Sequence, residues 1–173
     1  FGQHMEMKIN NYSITNFKRM STKKLLPTDV LVPADVPKDK QEDYVGNYLK
    51  LDKETGRVML FAGDQKVEHL NDDFFDGGNE IAIEDADPEH LFKIADGSPI
   101  SCLAVQAGLA AKYGLSYPQV PLLIKINSKS NLVKTNQKDP LSQALITVEQ
   151  VMDLKNNGLN ILAVGYTIFL GSE

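Results

Sequence analysis

The chain has 173 residues, with 18 Lys or Arg and 23 Asp or Glu, which gives a formal net charge of −5. An acidic chain without a dense basic stripe argues against nucleic-acid binding, and no segment reaches the roughly 20 apolar residues of a membrane span. A single cysteine, Cys102, excludes an intramolecular disulfide and indicates a reducing, cytoplasmic setting.

The opening section is polar and predicts a helical extension. Residues 1–4 resemble a cloning junction, so we expect them to be vector-derived and Met5 to be the native start. Residues 5–56 then form the N-terminal extension. A short helix is predicted over Tyr12–Met20, and a second helix is predicted to begin at Pro37 and to end at Gly56.

Residues 57–173 carry four short apolar runs that are typical of strands buried on both faces. Helical patterns separate several of them: one is capped by Asp87, one is predicted over Leu109–Tyr113, and one is capped by Thr147 and stopped by Gly158. Alternating strands and helices predict parallel βαβ units. The four predicted strands are Arg57–Gly63, Ile100–Ala107, Pro121–Ile126 and Asn160–Leu170.

Two α/β architectures fit this pattern. One is a small open doubly wound sheet, and the other is the first half of a (β/α)8 TIM barrel, which needs about 250 residues and eight strands. No helix pattern follows the fourth strand to cover it. We therefore expect either that the chain belongs to a longer one or that a second copy covers the last strand.

The candidate functional residues follow the strands, because ligands bind at the carboxyl ends of parallel strands. Asp64 is a candidate for binding a substrate hydroxyl, although Asp is also a common turn and cap residue. His69 could bind a hydroxyl or a phosphate. Lys125 lies within an apolar strand and either faces the mouth of the barrel or directs its ammonium outward. Asn127 and Tyr166 are expected on the same rim. Cys102 is interpreted as a core residue.

Four stretches of the chain resemble the archaeal-type class I fructose-bisphosphate aldolases. The resemblance implies a (β/α)8 barrel of the glycolytic and gluconeogenic pathways. It also implies reversible cleavage of fructose 1,6-bisphosphate to dihydroxyacetone phosphate and glyceraldehyde 3-phosphate. The reaction passes through a lysine Schiff base, without metal or another cofactor. The stretches are Leu60–Leu70, Asn79–Phe92, Leu123–Lys129 and Val164–Glu173.

The resemblance also implies substrate-binding residues. The family motif Asp-His-Gly-x-Glu-His appears here as DQKVEH, beginning at Asp64 and ending at His69. It implies substrate contacts by Asp64, Gln65, His69 and Asp73. Gln65 and Lys66 replace the family's His and Gly, a departure that bears on the choice of sugar.

The family's Schiff-base lysine and proton-donating tyrosine come from later strands, so we expect both after Glu173. Lys125 is not the Schiff-base position, and the 173-residue chain alone is expected to be inactive. The full-length protein is expected to be a cytoplasmic homo-oligomeric lyase acting on a phosphorylated sugar, with no nucleic-acid or membrane partner. Two alternatives stay open: a non-catalytic half-barrel for assembly or regulation, and an aldolase for another phosphorylated ketose.

Overall fold

The computed structural model describes residues 24–64, 82–128 and 142–168. The helix predicted over Tyr12–Met20 lies outside these ranges. Among the helices that are described, none is long and apolar enough to cross a membrane.

One parallel sheet organises the described residues. Its strands are β1 (Leu60–Ala62), β2 (Cys102–Gln106), β3 (Leu122–Lys125) and β4 (Ile161–Gly165), and they lie in the order β1-β2-β3-β4. All three neighbouring pairs are parallel, which confirms the predicted order and direction. Each strand is shorter than its apolar run: Ala107 already belongs to the next helix, and the other described ends of the runs lie outside the residues that pair in register.

Four α-helices accompany the sheet: α1 (Gln41–Asp52), α2 (Glu89–Asp96), α3 (Ala107–Tyr113) and α4 (Val148–Asn156). Thr147 caps α4 as predicted, since its hydroxyl accepts from the Gln150 N–H while the Gln150 side chain accepts from the Thr147 N–H. Before α2, the Asp87 carboxylate accepts from the Glu89 N–H at 3.0 Å. Gly158 follows α4 with φ +103°, a left-handed conformation that glycine adopts without strain.

The prediction for the helix of the extension was wrong at both ends. Pro37 precedes a 3₁₀ turn, Lys38–Lys40, and the α-helix begins only at Gln41. The helix ends at Asp52 because Lys53 already takes the left-handed conformation, with φ 49°. Gly56 also has positive φ, but it lies beyond the end of the helix.

The hydrophobic core lies between one face of the sheet and the helices. Phe92 of α2 is fully buried and packs against the rings of Tyr113 and Tyr117, at centroid distances of 5.5 and 5.7 Å. Strands contribute alternate residues to this core, among them Leu103, Val105, Leu122 and Ile124. Since side chains alternate along a strand, Ala104, Gln106, Leu123 and Lys125 lie on the opposite face of the sheet.

Candidate functional site

A buried ion pair marks the carboxyl edge of the sheet. Asp64 follows β1, and Lys125 is the last residue of β3. The Lys125 Nζ donates to Asp64 Oδ2 at 2.6 Å, and each side chain is only 9% exposed. Strand β2 lies between β1 and β3, so the lysine side chain reaches across β2 to its partner.

The position of Lys125 decides between the two orientations left open by the sequence. Its ammonium does not turn outward to solvent; it lies against Asp64 at the strand ends. An amine that donates to a carboxylate in an ion pair carries its proton and lacks the free lone pair of a nucleophile. Lys125 is therefore suited to holding Asp64 and a polar ligand rather than to attacking a carbonyl carbon.

Two glycines border this arrangement. A Cβ on Gly165 of β4 would lie 2.6 Å from Leu123 Cδ2, so glycine leaves space for Leu123, whereas Lys125 Cδ at 3.6 Å would be in ordinary van der Waals contact. Just before Asp64, the Gly63 N–H donates to the Ala104 carbonyl at 2.8 Å. That bond ties the end of β1 to β2 and fixes where the carboxylate emerges.

Gln106 is a residue that the sequence analysis did not select. It ends β2 and pairs in register with Lys125 on β3. Its amide nitrogen and oxygen are both buried, and within the described part of the chain neither has a hydrogen-bond partner. The signal that selected Asp64, a polar residue at a strand end, also applies to Gln106.

Asn127 connects the ends of β3 and β4 rather than facing an open cleft. It is fully buried, and its amide donates to Ser142 Oγ at 3.0 Å and to the Thr167 carbonyl at 2.9 Å. Its Oδ1 accepts from the Thr167 N–H at 2.9 Å. Tyr166 lies beside this connection, 54% exposed, and donates its hydroxyl to the Ser142 carbonyl at 3.3 Å.

The other predicted site residues, Gln65, His69 and Asp73, lie outside the described ranges, so their roles stay predictions. In the segments that the structure does describe, no three His, Cys, Asp or Glu side chains form a group able to hold a metal ion. Cys102 is fully buried, and burial raises the pKa of its thiol to about 11. A thiol so far from ionisation at neutral pH is no nucleophile, which agrees with its interpretation as a core residue.

Comparison with protein families and curated proteins identifies relatives of this chain. Residues 58–173 match the model of the DeoC/LacD family aldolases. The fructose-bisphosphate aldolase/6-deoxy-5-ketofructose 1-phosphate synthase of Methanocaldococcus jannaschii is 59% identical over 152 residues, which cover 87% of this chain and 48% of that protein. The class 1 fructose-bisphosphate aldolase of Thermoproteus tenax is 32% identical, over 72% of this chain and 42% of that protein. The chain thus spans about half the length of these relatives.

Solved structures agree. A fructose-bisphosphate aldolase from Slackia heliotrinireducens superposes with a TM-score of 0.80 at 53% identity, covering 87% of this chain and 46% of that one. A Schiff-base-forming fructose-1,6-bisphosphate aldolase superposes with a TM-score of 0.58 at 31% identity, covering 75% and 46% respectively. The parallel four-stranded sheet therefore matches part of an aldolase TIM barrel, as predicted.

Proposed function

The chain belongs to the DeoC/LacD family of aldolases, and we propose that the full-length protein containing it is a class I fructose-bisphosphate aldolase. It cleaves fructose 1,6-bisphosphate reversibly to dihydroxyacetone phosphate and glyceraldehyde 3-phosphate through a lysine Schiff base. The observation that carries this proposal is the 59% identity to the Methanocaldococcus jannaschii enzyme, sustained over 87% of the chain.

In this proposal the chain supplies one part of the active site. Residues 57–173 form the first half of the barrel, and residues 5–56 form its extension. The Asp64–Lys125 pair supports a substrate site at the carboxyl edge, where barrel enzymes bind their ligands. Asp64, Gln65, His69 and Asp73 contact the sugar. The Schiff-base lysine and the proton-donating tyrosine follow Glu173 in the full-length protein.

The pair has a defined chemical use in such a site. Asp64 keeps one carboxylate oxygen for Lys125, and its other oxygen can accept a hydrogen bond from a substrate hydroxyl. The lysine holds the carboxylate in one orientation while the sugar binds and leaves. Electrostatic groups fixed before the substrate arrives need little reorganisation during the reaction.

The name of one relative favours a second candidate activity. The Methanocaldococcus jannaschii protein is also a 6-deoxy-5-ketofructose 1-phosphate synthase. Synthesis of that deoxy ketose is thus the alternative activity to test here. The replacement of the family's His and Gly by Gln65 and Lys66 bears directly on which sugar the site accepts.

We further propose that the full-length protein works in the cytoplasm, in glycolysis or gluconeogenesis, as a homo-oligomer. The buried single thiol of this chain supports a reducing compartment. The acidic charge supports a small-molecule substrate rather than a nucleic acid.

Borohydride trapping tests the Schiff base. The full-length protein, incubated with fructose 1,6-bisphosphate and sodium borohydride, should gain one covalent adduct on a lysine after Glu173, located by peptide mass spectrometry. The 173-residue chain treated in the same way should gain none, because the ammonium of Lys125 is committed to Asp64.

The matched control is the full-length Lys125→Met variant, which should still be trapped on the later lysine. Stoichiometric trapping on Lys125 in the short chain would contradict the proposal and would move the nucleophile to β3. An untrapped and inactive full-length protein would favour the non-catalytic alternative.

A further inference from the structure

The side chain of Gln106 lies on the same sheet edge as the Asp64–Lys125 ion pair. Gln106 ends β2, the strand between the ones that present Asp64 and Lys125. Its Cα pairs with that of Lys125, so both side chains lie on the same face of the sheet. Adjacent strands are about 4.8 Å apart, which places the three side chains within the span of one small sugar.

The surroundings leave this amide without a partner. Both of its polar atoms are buried, and none of the residues in the described ranges bonds to either one. The charged groups of Asp64 and Lys125 are paired with each other at 2.6 Å. A buried amide without a partner lowers stability, and an apolar side chain of the same length would not carry that penalty.

We infer that Gln106 binds a hydroxyl group of the sugar substrate beside the Asp64–Lys125 pair. The inference rests on the proposed aldolase function and adds to it a substrate-binding residue on β2. A primary amide offers two donors and an acceptor at one place, and a hydroxyl group can both accept from the first and donate to the second. A phosphate dianion has no proton to donate to the amide oxygen, so the predicted partner is a hydroxyl group of the sugar.

The test is Gln106→Met in the full-length protein. Methionine preserves the length of the side chain and removes its hydrogen bonds. We expect kcat/KM for fructose 1,6-bisphosphate to fall at least 10-fold, while the thermal midpoint without substrate stays equal or rises. Saturating fructose 1,6-bisphosphate should raise the midpoint of the wild type more than that of the variant, because the variant binds it more weakly.

Gln119→Met is the matched control. Gln119 is exposed and precedes β3, at the opposite end of the sheet from the strand ends that carry the site. The same substitution there should leave kcat/KM and the substrate-induced shift of the midpoint unchanged.

Three outcomes would overturn the inference. An active wild type whose Gln106→Met variant keeps its kcat/KM shows that the amide does not contact the sugar. A variant that unfolds, or melts at lower temperature without substrate, shows that the amide has a structural partner in the protein. If the wild-type protein neither cleaves nor binds fructose 1,6-bisphosphate, the proposed function is wrong and this inference is wrong with it.

Discussion

Asp64 and Lys125 lie 61 positions apart in sequence and form a pair that is almost completely shielded from water. Burying two charges costs desolvation free energy, and their attraction offsets it only when the geometry is close. At 2.6 Å the pair meets that condition. A pair that is expensive to bury and sits at the strand ends is better explained by a function at this edge than by stability alone.

Replacing one member of the Asp64–Lys125 pair should reveal the desolvation free energy of the charge that remains. Asp64→Asn and Lys125→Met should each lower the free energy of unfolding by about 3 kcal/mol, because each breaks the buried ion pair by removing one of its two charges. The double variant should lose clearly less than the two single losses combined, since no buried charge of the pair then remains. Urea unfolding of the full-length proteins measures all three values. Strictly additive losses would show that the two charges do not stabilise each other.

At the scale of elements, the alternation of apolar runs and helix patterns was enough to predict four parallel strands in chain order. That pattern is local, and a parallel arrangement needs crossover helices of the kind that the sequence shows. The ends of elements were less predictable. Glycine is the usual residue with positive φ at the end of a helix, so the sequence predicted that α1 ends at Gly56. In the structure Lys53 and Glu54 already take positive φ, and the helix ends before them.

The sequence predicted individual residues of the site but not the contacts between them. The strand-end rule selected Asp64, whereas Lys125 was selected as a lysine inside an apolar run whose orientation stayed open. Their direct contact depends on side-chain reach across β2, which no local pattern encodes. The expectation that Asn127 lies on the rim stays a prediction, and the sequence did not predict that its amide would bond Ser142 and Thr167. The strand-end rule applied to Gln106 as well, but the sequence does not show that its amide would be buried without a hydrogen-bond partner among the described residues.

The connection made by Asn127 between β3 and β4 should be essential for the edge of the sheet. Asn127→Ala should lower the free energy of unfolding by about 3 kcal/mol, at about 1 kcal/mol for each of its three hydrogen bonds. Asn160→Ala is the control, because it removes one exposed bond of 3.3 Å to Pro118 and should cost less than about 1 kcal/mol. Equal losses in the two variants, measured by urea unfolding, would contradict this role.

At the scale of the whole molecule, the sheet has two outer strands that expose apolar side chains. Leu60 on β1 is 51% exposed and Val164 on β4 is 44% exposed. Parallel sheets normally have both faces covered, and open strand edges pair readily with other chains. The matched part of this chain spans only 46% of each of two solved relatives.

The 173-residue chain, purified by itself, should therefore self-associate through exposed apolar surface, whereas the full-length protein should not. We expect it to bind the dye ANS and to sediment as mixed associated species, because β1 and β4 are the outer strands of the described sheet and present apolar side chains. The full-length protein should bind little dye and sediment as one species.

Val164→Thr should reduce dye binding by the short chain. Leu115→Thr should not, because Leu115 is exposed on a 3₁₀ turn and is part of neither outer strand. A short chain that sediments as a monomer and binds no dye would mean that these strand faces are already covered from within residues 1–173.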